Sequence, residues 1–125
     1  MTLIDAIKEF DLYRKNESPL EQKIKWISEL DRKINGEYLI VRGGEQFEGY
    51  DLQTPYHTTL KAPDEYSELY SLYLNMKLDY VNGEVTRFNN SAALFNRLYK
   101  EMGDFINRQK KVSVNTKIKA GELYV

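Results

Sequence analysis

The chain of 125 residues has no cysteine, one histidine, one tryptophan and three prolines. Without cysteine there are no disulfides, no thiolate nucleophile and no zinc-finger or iron-sulfur ligands, and the chain needs no oxidising compartment. A charge excess is missing too. The 18 Lys and Arg stand against 19 Asp and Glu, a formal net charge of -1, so nothing drives sequence-independent attraction to a phosphate backbone. Apolar runs are short, Tyr38 to Val41 being typical, whereas a spanning helix needs about 20 predominantly apolar residues. No membrane association is expected. Asp5 and Glu9 fall within the first ten residues and no basic segment precedes an apolar block, unlike a signal peptide. The expected location is the cytoplasm.

What is present is one domain's worth of chain, long enough to bury about two-thirds of its unfolded surface. Thr2 and Asp5 form a variant capping box ahead of Leu3, Ile4, Ile7 and Phe10, which predicts a helix over 3–13. Ser18, Pro19 and Glu21 offer a second capping signature, with Ser18 as the cap. Behind it Leu20, Ile24, Ile27, Leu30 or Asp31, and Ile34 recur at spacings of three and four, the mark of an amphipathic helix. Asn35-Gly36 could stop that helix, but continuation to Gly43-Gly44 is the preferred reading. From 43 to 63 there is no period, and three glycines and two prolines punctuate a long loop, a feature usually functional inside a compact domain.

Leu74, Leu78, Val81, Val85 and Phe88 keep helical phase across Asn82-Gly83, which favours one helix from Asp64 to Phe88, since an interior glycine costs only about 1 kcal/mol. Asn89, Asn90 and Ser91 then offer caps for a last helix, with Leu94, Phe95, Leu98, Tyr99, Met102, Phe105 and Ile106 as its face, ending near Lys110. In 111–125, Val112, Val114, Thr116 and Ile118 alternate with polar residues, the period of an extended strand. The expected fold is mainly α: a small bundle of about four helices in 1–110, with the long loop at 43–63 and an extended C-terminal tail over 111–125.

The inventory for catalysis is thin. His57 stands alone in the loop with no serine or cysteine motif, and it has no second nitrogen or sulfur ligand for a metal. Glu65 with Glu68, and Asp79 with Glu84, are pairs that 19 acidic residues produce by chance. Gly43-Gly44 matches neither phosphate-binding spacing. We therefore expect no enzyme, no cofactor and no metal site. The ten tyrosines are more telling. Tyr66, Tyr70, Tyr73 and Tyr80 share a helix with the aliphatic stripe, so that helix needs more than one neighbour. Core packing and a subunit contact both satisfy this, tyrosine being enriched where one end of a side chain stays wet.

Four stretches resemble one group of proteins: residues 21–31 (EQKIKWISELD); 47–51 (FEGYD) with Thr54-Pro55; 62–66 (APDEY) with Leu69-Tyr70; and 79–84 (DYVNGE) with 87–91 (RFNNS) and Phe95-Asn96. They are similar to motifs of small proteins from the structural gene clusters of tailed bacteriophages and prophages of Gram-positive bacteria, which resemble head-tail connector, or adaptor, components. The segment Phe105 to Gln109 departs from the aromatic-rich ending of that group. The resemblance implies a virion structural protein without catalysis, a helical subunit that forms a homo-oligomeric ring beneath the portal protein and docks head-closure or tail proteins. DNA would pass through the ring without sequence-specific binding, which suits the balanced charge. The protein would sit in the host cytoplasm during assembly and then in the virion neck. Candidate protein contacts are Tyr66, Tyr70 and Tyr73 for lateral packing, Phe47, Tyr50 and His57 in the loop, and Val112, Val114 and Ile118 in the tail. A monomeric protein-binding or regulatory domain of phage origin is the alternative.

Overall fold

The computed structural model describes residues 1–121, with side chains through Gln109. Four α-helices follow in order: α1 (Leu3–Tyr13), α2 (Leu20–Ile34), α3 (Glu68–Val81) and α4 (Val85–Gly121). The chain is thus a mainly helical bundle, and among the described residues the only β pairing is a single antiparallel bridge between Thr2 and Thr59. None of these helices is long and apolar enough to cross a membrane.

The start of α1 follows from its capping box. Thr2 Oγ1 accepts from the Asp5 N–H, and the Asp5 carboxylate accepts from the Thr2 N–H. Leu3, Ala6, Ile7 and Phe10 are buried, the spacing that puts side chains on one face. For α2 the apolar stripe holds but the predicted cap does not. The Ser18 N–H donates to Asn16 Oδ1 instead, and Pro19 occupies the cap position with its carbonyl accepting from Gln22 and Lys23. Asn16 thus closes its own local turn, which competes with capping by Ser18.

Helical backbone continues beyond Ile34, as preferred, through one wide turn over Asn35–Leu39 and one tight turn over Ile40–Arg42. It ends at Gly43, whose φ of 90° is left-handed, a conformation glycine adopts without penalty.

Two expectations are corrected here. First, no single helix spans Asp64 to Phe88: a short tight turn over Asp64–Tyr66 leads into α3, α3 ends at Val81, and α4 begins at Val85. Gly83 at φ 71° closes α3, its N–H donating to Tyr80 O at 3.2 Å while the Glu84 N–H donates to Asp79 O at 2.9 Å. This pair of bonds is the Schellman arrangement, which satisfies the last carbonyls and turns the chain back. Asn89, Asn90 and Ser91 consequently lie inside α4 rather than capping it. Second, α4 stays helical as far as Gly121, where an extended segment from 111 was expected. The described residues offer no sheet edge to pair with a strand, whereas a helix satisfies its own backbone. Residues 122–125 and the side chains of Val112, Val114 and Ile118 lie outside the described residues.

The core gathers on α3, which packs most extensively on α4 and also meets α2 and α1. Leu69, Tyr70, Leu74 and Leu78 of α3 meet Ile24, Ile27, Leu30 and Ile34 of α2 together with Phe95, Tyr99, Met102 and Ile106 of α4. Leu94, expected on the inner face of the last helix, is exposed.

Candidate functional site

The long loop is moored to one face of α2. Ser28, Asp31, Arg32 and Asn35 fall at intervals of three, one and three, so they line one side of the helical backbone. From them the loop is held at successive points: Asn35 Nδ2 donates to Glu45 O at 3.1 Å, Arg32 Nε and Nη2 to Glu48 O at 3.3 and 3.2 Å, and the Tyr50 N–H to Ser28 Oγ at 2.9 Å. Gly49 lies so close that a Cβ there would stand 2.6 Å from both Arg32 Nη2 and Ser28 Oγ, and its φ is 117°. Only glycine fits without displacement.

Asp31, fully buried, gathers the rest. It accepts from Tyr50 Oη at 2.6 Å, Tyr70 Oη at 2.5 Å and the Lys61 N–H at 3.1 Å, and Tyr70 Oη in turn accepts from the Ala62 N–H at 2.9 Å. Burial pushes the carboxyl above its ordinary range, against the pull of these donors. Burial and the neighbouring Asp31 charge raise both tyrosines above the usual phenol range. Phe47 meets Tyr50 edge-on at 4.8 Å and carries the Lys61 ammonium over its ring at 4.8 Å. The far part of the loop seals the start of α1, where Leu3 and Ile4 N–H donate to Thr58 and Tyr56 carbonyls and the Leu60 N–H to Met1 O.

A second cluster lies at the α3–α4 turn. Arg14, at the end of α1, reaches Asp79 Oδ1 at 2.7 Å with Nη2 and donates from Nη1 to Asn75 Oδ1 at 2.9 Å; Asp79 is only 1% exposed. Glu84 pairs with Arg87 at 3.1 Å and lies 3.9 Å from Arg14. Beside this buried charge the surface is apolar: Tyr80, Val81 and Val85 are each about two-thirds exposed or more, and the Tyr80 ring stands 5.9 Å from Phe88. A cavity of about 440 Å³ opens there, lined by Tyr80, Val85, Phe88, Asn89 and the backbone turn at Gly83.

The predicted contact residues scatter. Phe47 and Tyr50 are half-buried in the mooring, and His57 is exposed. Tyr70 is 1% exposed and belongs to the core, so it offers a neighbouring subunit nothing. Tyr66 and Tyr73, half-buried, spend their rings on Phe105 and Phe95 of α4 at 5.4 Å each. The reading of Tyr70 as part of a lateral surface is therefore corrected by its burial, while Tyr66 and Tyr73 pack on α4 with part of their surface still accessible. Sequence reasoning missed Ser28, Arg32, Asn35 and Arg14. The signal of the first three, a polar stripe at helical spacing, is the same one a solvated face gives. Asp79 and Glu84, read as a chance pair, are drawn together by Arg14. Comparison of the chain with protein-family models, with curated proteins and with solved structures finds no match.

Proposed function

We propose that this protein is a virion structural component, a head-tail connector or adaptor subunit that assembles beneath a phage portal and docks head-closure or tail proteins. The observation that carries the reading is the resemblance over 21–31, 47–55, 62–70 and 79–96. The geometry gives it physical sense. The matching residues Ser28, Asp31, Gly49, Tyr50, Ala62 and Tyr70 hold the loop to α2, while Asp79, Gly83, Glu84 and Arg87 build the α3–α4 turn. A ring requires each subunit to present one surface to a different surface of the next. Tyr80, Val81 and Val85, exposed beside the cavity at that turn, are suited to such a contact.

One observation favours the alternative of a monomeric protein-binding domain: α3 is covered within the chain by α2 and α4, so the fold does not require a neighbour. Binding to a phage portal protein separates the two. The wild type should co-purify with portal assemblies, and the double variant Val81→Asp, Val85→Asp, altered at exposed positions, should stay folded and lose that association. Absence of any portal binding by the wild type would refute the connector reading.

A further inference from the structure

Asparagine precedes glycine twice, at Asn35-Gly36 and Asn82-Gly83, and the fold places the two in opposite surroundings. Asn35 is 5% exposed, sits in helical backbone at φ -61° and ψ -46°, and donates from Nδ2 to Glu45 O. Asn82 and Gly83 are both exposed. The Asn82 carboxamide has no hydrogen-bond partner among the described residues, and its backbone is held by the capping bonds from the Asn82, Gly83 and Glu84 N–H groups.

We infer that Asn82 is a site of spontaneous deamidation in the folded protein and that Asn35 is protected. The Gly83 backbone nitrogen gives up its proton to solvent and attacks Cγ of Asn82. A C–N bond forms, the side-chain nitrogen takes up a proton and leaves as ammonia, and a five-membered succinimide results. Water then adds to either carbonyl of that ring and opens it to aspartate or isoaspartate. The reaction is a substitution followed by hydrolysis, with no oxidant or reductant. At φ -81° and ψ -4°, Asn82 must swing out of its cap to bring Cγ onto that nitrogen. The swing breaks a few bonds at an exposed turn, and local openings of this kind lie at the low end of the stability range. For Asn35 the same movement would break helical backbone at a buried position and release the loop at Glu45.

The surroundings also accommodate the product. A groove of about 620 Å³ beside the turn is lined by Asn82 with Arg14, Lys15 and Arg87 and with the carboxylates Glu17 and Glu84, so a new carboxylate at residue 82 joins an open surface of mixed charge. Isoaspartate adds a methylene to the main chain between Val81 and Gly83, at the turn that presents Tyr80, Val81 and Val85. The apolar surface there would change with the age of the protein.

Incubation of the folded full-length chain in ¹⁸O-labelled water at mildly alkaline pH, followed by peptide mapping, tests this. Label should enter at residue 82 at least about tenfold faster than at residue 35, a ratio that needs only about 1.4 kcal/mol between the two openings, with isoaspartate found at 82. In denaturant both sites should react at similar rates. A smaller ratio in the folded chain, or an Asn82 that reacts only when the chain is unfolded, would overturn the inference.

Discussion

Asp31 shows what a single buried carboxylate contributes when hydroxyls and an amide, rather than an ion pair, hold it. Its three donors come from the loop and from α3, so one side chain of α2 fixes two other parts of the chain. Asp31→Asn keeps the shape but turns an amide N–H₂ toward groups that donate, and the cost of a mismatched buried hydrogen bond is about 1–3 kcal/mol. Chemical denaturation of the two proteins at neutral pH checks this. The pH dependence has a definite sign. Burial raises the folded pKa of Asp31 above its unfolded value, so the native state retains a proton in an interval where the unfolded state has lost it. Stability from this group is fully present below the unfolded pKa and is lost as pH rises through the folded one. The advantage of wild type over Asp31→Asn should therefore grow on acidification, and a difference that stays constant would show that Asp31 does not titrate in this way. Glu37 acts in the opposite sense, because the Lys33 ammonium and then the Tyr99 hydroxyl donate to its carboxylate and lower its pKa. Its contribution is present above its unfolded pKa and lost as pH falls through the folded one.

At the scale of elements, glycines decide where helices end. Gly83 has open space around it but φ 71°, so Gly83→Ala should cost about 1–2 kcal/mol through backbone strain alone. Gly36 has equally open space and no left-handed φ, so Gly36→Ala should stabilise the protein by about 0.5–1 kcal/mol. Thermal melts of the pair would measure both signs. These two positions also mark how far the elements were legible in the sequence. Both are Asn-Gly steps with an apolar pattern running through them, and the pattern is right at Gly36 and misleading at Gly83. Past Gly36, Tyr38 and Leu39 pack against the core. Past Gly83, Val85 is exposed, because the left-handed turn reverses the chain and phase no longer carries meaning. The α1 capping box was readable because its partners are three residues apart. The mooring of the loop was not, because Ser28, Asp31, Arg32 and Asn35 find their partners ten to thirty-nine residues away, and local pattern is silent about such pairings.

At the scale of the whole molecule, the proposed role requires a surface for assembly. Tyr70 and Tyr73 of α3 pack inside the bundle, which leaves the α3–α4 turn, with Tyr80, Val81 and Val85 exposed, as the surface where a second subunit or a portal would be met. Tyr80→Ser should leave the melting temperature nearly unchanged, since the side chain is 71% exposed and surface substitutions usually fall within about 0.5 kcal/mol, while weakening assembly. The most direct measurement is the absolute mass in solution by light scattering over a wide concentration range, alone and with the portal protein. A connector subunit gives a closed ring, or a concentration-dependent series leading to one, alone or on the portal. A strict monomer at every concentration, with no increase in mass on the portal, would contradict the account.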